Sequence, residues 1–180
     1  HHPKEFLDLY RDCPFESTPD EPLHPWLSPA APYKPGAGGR RESLTGYYAA
    51  ISAMDAGIGK ILAKLWETGL DQNTLVIFTS DNGMNMGHHG IWGKGNGTYP
   101  QNMYDSSVKV PFLASWPGHI PANTVSRQML SHYDVFPTLM DCFGLTANTR
   151  QPLPGHSFAE VLGGKTQEEK PVVIFDEYGP

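Results

Sequence analysis

The sequence predicts an α/β fold, with helices packed on a sheet that contains at least some parallel strands. Three observations lead there. Residues Tyr47, Ile51, Met54, Ile58, Ile61 or Leu62, and Leu65 step by three and four, as one face of a helix requires. Only Leu70 to Asn73 separates that helix from the apolar run Thr74-Leu-Val-Ile-Phe-Thr79, so a helix feeds a strand through a tight link. A second strand, Val110 to Ser115, and a second helix, Val135 to Phe143, then repeat the alternation.

Taken in order, Lys4 to Tyr10 is a short amphipathic stretch that suits one or two helical turns after Pro3. Residues 14–39 form a proline-rich loop, with seven prolines from Pro14 to Pro35 followed by Gly36, Gly38 and Gly39. Proline fixes φ and removes a donor, so this segment is expected to run extended over a surface, with Trp26 and Tyr33 as its anchors. The long helix is expected to start at Ser43 or Thr45 as N-cap and to end at Gly69. Gly57 and Gly59 within it cost helix propensity, and close packing against the sheet would explain them. Asp55, beside the apolar face, reads as a solvated carboxylate.

Pro111 is tolerable only near the start of the second strand. Asp134 is the expected N-cap of the second helix, with Pro137 in the first turn, where no donor is lost. Ser157 to Leu162 suits a short helix closed by Gly163-Gly164, and Pro171 to Phe175 reads as a last strand.

Composition limits the function. With 17 Pro and 19 Gly in 180 residues and a 39% hydrophobic fraction, much of the chain must be loop. A formal net charge of −6 and no Lys/Arg cluster argue against a nucleic-acid partner. No apolar run approaches the roughly 18 to 20 residues of a membrane span. The two cysteines, Cys13 and Cys142, make neither a disulfide framework nor a Cys-x-x-Cys metal pair, and read as a loop thiol and a core thiol. The start at His1-His2-Pro3 shows no leader segment and suggests a piece of a longer chain.

Chemistry concentrates after the first strand. Asp81 and Asn82 offer a carboxylate and a carboxamide oxygen, which suit Ca²⁺ or Mg²⁺ rather than Zn²⁺. Two ligands do not complete a site, and Asp-Asn-Gly alone reads as well as a turn. The next segment adds His88, His89, Trp92 and Lys94, separated by Gly87, Gly90, Gly93, Gly95 and Gly97. Glycines at that density allow backbone to approach a ligand, and Lys94 with nearby histidines supplies positive charge, so anion binding fits better than a His-His transition-metal site.

Three motifs in one order carry a family resemblance: Thr79-Ser-Asp-Asn-Gly83, Gly87-His-His-Gly-Ile-Trp-Gly-Lys-Gly95, and Tyr104-Asp-Ser-Ser-Val-Lys-Val-Pro-Phe-Leu-Ala-Ser-Trp-Pro-Gly118. They resemble the sulfatase family of the alkaline-phosphatase superfamily, as do the helix Tyr47 to Gly69 and the run Ser131 to Met140. The likeness runs from about Arg40 to Phe175. It implies an alkaline-phosphatase-like fold with a mixed, largely parallel sheet flanked by helices, present here only in part. Residues 1–170 would be a partial catalytic domain and residues 171–180 the start of a C-terminal subdomain.

The resemblance further implies a sulfuric ester hydrolase using Ca²⁺, with Mg²⁺ as the alternative, and a formylglycine nucleophile. On it, Asp81 and Asn82 are metal ligands, Lys94 is catalytic and grips the sulfate, and His89 contacts substrate, with a solvent-facing histidine as the equal alternative. Substrates would be sulfated small molecules or glycans, and the compartment extracytoplasmic.

The family's Cys-x-Pro-Ser-Arg motif is absent: Pro14-Phe-Glu-Ser follows Cys13 and Phe143-Gly-Leu follows Cys142. Its Pro-His-x-Pro histidine has no counterpart assignable to His1 or His2. The chain is thus expected to hold the middle and later part of the domain, with the nucleophile outside it and no turnover of its own. A phosphodiesterase or phosphonate hydrolase of the same superfamily is the neighbouring alternative, and a non-catalytic anion- or glycan-binding module the more distant one. Asn96-Gly97-Thr98 is a formal glycosylation sequon, but a glycan there would crowd Lys94.

Overall fold

The computed structural model describes residues 3–28, 39–146, 148, 150–168 and 170–175. His1, His2, Tyr33 and residues 176–180 lie outside them, as does the proline-rich stretch 29–38. Within the described residues the chain divides into two compact units. One takes the described residues of 3–69, 79–112 and 175, and the other those of 70–78 and 113–174.

In the first unit, α1 (Lys4–Asp8) is a single turn, begun by Phe6 N–H and Leu7 N–H donating to Pro3 O. It packs on α2 (Gly39–Glu67), where the Tyr10 hydroxyl meets Ser52 Oγ at 2.7 Å and the Tyr10 and Tyr48 rings lie 5.5 Å apart. The core beneath is Phe15, Leu44, Met86 and Trp92, lined by Tyr10, Cys13, Tyr47, Tyr48 and Met84. Burial, with Tyr48 alongside, pushes the Tyr47 phenol above its ordinary pKa.

The long helix starts at Gly39, earlier than Ser43 or Thr45. Its first turn is held by the chain before it: Arg40 Nη2 donates to Phe15 O (3.3 Å) and Thr18 O (2.5 Å) in the proline-rich segment, and Arg41 Nη1 to Arg11 O at 2.9 Å. These long-range bonds extend the helix past the cap that local sequence suggests. Ser43 instead donates back to Gly39 O at 3.4 Å. The helix ends as expected, with Gly69 at φ +68°.

No residue of the predicted apolar stripe is fully buried: Tyr47, Ile58 and Leu65 are half-buried, and Ile51, Met54, Ile61 and Leu62 are 38% to 63% exposed. The buried residues of α2 are Leu44 and Ala49, outside that stripe. Gly57 and Gly59 do not mark close packing either, because a Cβ at either position would meet nothing within 4 Å. Asp55 is exposed, as expected of a solvated carboxylate.

The proline-rich segment does run over a surface as far as it is described. His24 N–H donates to Gly90 O, Ser28 N–H to Gly97 O and Tyr99 N–H to Trp26 O, all within 2.9 to 3.0 Å, and Leu27 bridges antiparallel to Thr98. Its apolar anchor is Phe15, only 4% exposed. Trp26, expected in that role, is 62% exposed. The backbone bonds carry the attachment that its ring was expected to supply.

Strand β1 (Val76–Thr79), of the second unit except for Thr79, follows a single helical turn at Asp71–Asn73 and is hydrogen-bonded beside β4 (Phe112–Ser115), of the second unit except for Phe112. Pro111 falls just outside that strand, so no ladder donor is missing. Asp134 stands at the expected N-cap position of helix α4 (Val135–Cys142) but makes no side-chain cap there; the side-chain cap belongs to the turn His132–Asp134 before it. Ser131 Oγ accepts from Tyr133 N–H and Ser131 N–H donates to Asp134 Oδ2, a capping box that a preceding turn at His132–Asp134 makes reachable.

Helix α5 (Ala159–Leu162) packs on α4 through Thr138, whose hydroxyl donates to Asp134 O at 2.6 Å and accepts from Phe158 N–H at 2.9 Å. Residues 171–175 form no strand. An open concavity of about 680 Å³ along Ala114 to Thr124 holds none of the expected site residues.

Both cysteines are free and half-buried. Burial, then the Asp141 charge, pushes the Cys142 thiol up.

Candidate active site

The turn after β1, the glycine-rich loop and a short helix all lie within the first unit. The loop contains β2 (Asn85–Met86) paired antiparallel with β3 (Trp92–Gly93), in register Asn85 to Gly93 and Met86 to Trp92. The short helix is α3 (Asp105–Val108). Asp81 is exposed and Asn82 half-buried. Ser80 Oγ donates to Asn82 O at 2.9 Å and reaches Asp81 Oδ1 at 3.5 Å, and Asn82 Nδ2 donates to Gly83 O at 2.9 Å.

Gly83 is not there for a left-handed turn. Its N–H donates to Ser107 O at 2.9 Å, and a Cβ at this position would sit 2.1 Å from Ser106 O. Only glycine allows that approach. The same holds in the loop, where a Cβ on Gly90 would lie 1.9 Å from Pro22 O at φ +67°. Gly87 and Gly90, two of the glycines expected to let backbone approach a ligand, make room for the carbonyls of Pro19 and Pro22 in the proline-rich segment.

Lys94 begins a turn at Gly95–Gly97, and its carbonyl accepts from Gly97 N–H at 2.9 Å. Its side chain is exposed and makes no ion pair among the described residues. His89 is exposed in a left-handed conformation (φ 55°, ψ 24°), and its ring stacks on Tyr104 at 4.0 Å and 14°. His88 is half-buried, with Nδ1 accepting from Met86 N–H at 3.3 Å, so it serves the loop's own structure.

A polar network joins the Asp81 turn to the Lys94 turn. Asn85, with no exposed surface, donates from Nδ2 to Gly93 O (3.2 Å) and Ser107 Oγ (2.7 Å), and its Oδ1 accepts from Ser106 Oγ at 2.5 Å. Ser107 Oγ in turn donates to Asn102 Oδ1 at 2.5 Å. Asn102 Nδ2 donates to Gly95 O at 2.9 Å and also reaches Lys94 O and Thr98 Oγ1. Since Gly83 N–H binds Ser107 O, one chain of hydrogen bonds runs from the Asp-Asn-Gly turn to the Lys94 backbone.

Sequence reasoning passed over Asn85, Asn102, Ser106 and Ser107, because nothing in their spacing signals that a loop and a helix start meet there. Thr98 belongs to the same network and is 2% exposed, its hydroxyl donating to Pro100 O at 2.8 Å.

The donor set of Asp81 and Asn82 fits a hard cation by type. With the Asn82 nitrogen committed to Gly83 O, its Oδ1 is the atom for a ligand, beside a carboxylate. By number it is partial, since among the described residues no group of three or more His, Cys, Asp or Glu gathers around a point.

The mixed helix-and-sheet frame is part of an alkaline-phosphatase-like fold. The Sulfatase family profile matches residues 2–145, and the chain belongs to the sulfatase family. It is 35% identical over 140 residues to arylsulfatase G of Mus musculus, covering 71% of this chain and 26% of that protein. To N-acetylgalactosamine-6-sulfatase of Mus musculus it is 32% identical over 137 residues, covering 74% and 26%.

Among solved structures, YidJ of Bacteroides fragilis, described as a sulfatase, superposes with a TM-score of 0.71 at 29% identity, covering 92% of this chain and 34% of that one. A structure in complex with its substrate D-glucosamine-2-N,6-O-disulfate superposes with a TM-score of 0.62 at 28% identity, covering 69% and 24%. The chain thus spans about a quarter of the length of these curated relatives.

Proposed function

We propose that this chain is part of a sulfuric ester hydrolase acting on sulfated carbohydrate, and that it supplies the sulfate-gripping lysine and part of a divalent-metal site. One observation carries the reading. The Lys94 backbone is held by Gly97 and Asn102 while its ammonium is exposed and unpaired among the described residues. From that held backbone the exposed ammonium reaches out on its flexible stem, free to stabilise negative charge that develops on a bound anion.

Asp81 and Asn82 would hold Ca²⁺, or Mg²⁺ in its place. When bound, such an ion supplies Lewis-acid polarisation of the ester's oxygens. His89 contacts substrate through its edge, because one face is taken by Tyr104. The formylglycine nucleophile comes from outside these 180 residues. Family membership supports this assignment, and so does the carbohydrate substrate named for two of the relatives. An extracytoplasmic compartment accompanies it; no described helix is long and apolar enough to cross a membrane.

The test is sulfate-ester turnover by the protein containing this chain with its complete catalytic domain. Lys94→Ala should lower kcat by about 10²- to 10³-fold, the usual loss for one charge-stabilising group. An unchanged kcat refutes the assignment.

A further inference from the structure

Beside the Lys94 turn lies a group of aromatic side chains of which only His89 has a part in the proposed reaction. The His89 and Tyr104 rings are stacked at 4.0 Å. His24 meets Tyr104 edge-on at 6.4 Å and meets Trp26 edge-on at 5.9 Å. Trp26 is 62% and Tyr104 38% exposed, and Tyr99, whose N–H is bonded to Trp26 O, is 64% exposed. A tryptophan that merely pinned the proline-rich segment would be buried, as Phe15 is at 4%.

Although its ring is open, Trp26 has a fixed backbone. Its N–H donates to His24 Nδ1 at 3.1 Å, its carbonyl accepts from Tyr99, and Leu27 and Ser28 are bonded to Thr98 and Gly97. Gly97 is in turn bonded to Lys94 O, which ties the ledge to the lysine through consecutive backbone contacts. His89 holds a left-handed backbone that non-glycine residues seldom adopt, and its stack on Tyr104 completes the ledge. A rigid aromatic ring held open to water is suited to bind, because little side-chain entropy is lost when a ligand covers it.

We infer that His24, Trp26, Tyr104 and His89 form a stacking platform for the sugar ring of a sulfated carbohydrate, next to the lysine that grips its sulfate. The reading rests on the sulfatase assignment above and adds the surface that selects a sugar. The ring's C–H faces carry partial positive charge and pack against the negative faces of Trp26 and Tyr104. Hydroxyls at the rim meet the histidine edges, and the sulfate lies toward Lys94.

The experiment uses the protein with its complete catalytic domain, with N-acetylglucosamine 6-sulfate as substrate and inorganic sulfate as competing anion. Trp26→Ala should raise KM for the sulfated sugar about tenfold or more, while the inhibition constant of inorganic sulfate stays within about twofold. Trp26→Phe, which keeps an aromatic face, should recover most of the loss. A KM shift below about twofold in Trp26→Ala, or a parallel rise in the inorganic-sulfate constant, overturns the platform. Wild-type protein that hydrolyses an aryl sulfate but not the sulfated sugar also overturns it, with the Lys94 assignment intact. Wild-type protein that hydrolyses neither overturns the sulfatase reading and the platform together.

Discussion

Replacing Asn85 by alanine should be the most damaging single polar substitution in the candidate site. The side chain has no exposed surface and makes three hydrogen bonds, to Gly93 O, Ser107 Oγ and Ser106 Oγ. At about 1 kcal/mol net for each bond the loss is about 3 kcal/mol. The Ser107 hydroxyl keeps its bond to Asn102, which limits the further penalty of stranding a buried group. Urea unfolding followed by fluorescence should show the midpoint falling at constant slope, the product of the two giving that loss. A loss below about 0.5 kcal/mol would mean that the network is not formed in solution, since ordinary surface substitutions cost no more than that.

The glycines give a prediction of both signs. Gly59→Ala on α2 should raise stability by about 0.5 to 1 kcal/mol, because the added Cβ meets nothing and the helix gains propensity. Gly90→Ala should lower it by more than about 2 kcal/mol, combining a left-handed φ with a Cβ driven into Pro22 O. Equal effects in thermal unfolding would contradict the contrast.

Hydrogen bonds from Lys4 first and Arg11 second hold the Asp8 carboxyl below its ordinary value of 3.8. A lowered folded-state pKa contributes stability that is present above 3.8 and is lost as pH falls through the lowered value. NMR titration of Asp8 should follow this course, and Lys4→Ala should return the midpoint toward 3.8.

Periodicity and punctuation made the main elements legible. The three-and-four spacing from Tyr47 to Leu65 marked α2, Gly69 marked its end, and the β-branched run before Ser80 marked β1. These signals are local, because a helix or strand face repeats at a fixed interval and glycine tolerates the conformation that stops it. What moved the boundaries came from far along the chain. Arg40 and Arg41 reach the carbonyls of Arg11, Phe15 and Thr18, which lie 22 to 30 residues away.

The sequence by itself determined the residue chemistry of the site: an oxygen-bearing turn at Asp81 and Asn82, a lysine among glycines, and an order of motifs that places the chain in its family. Tertiary structure alone decided what those glycines are for and what holds the lysine. Gly83 and Gly90 make room for Ser106 and Pro22, and Asn85, Ser107 and Asn102 join two loops that lie apart in sequence. It also decided that Trp26 is open rather than an anchor. Composition reports what a residue can bond, but the partner it meets depends on which distant backbone folds beside it, and that carries no local pattern.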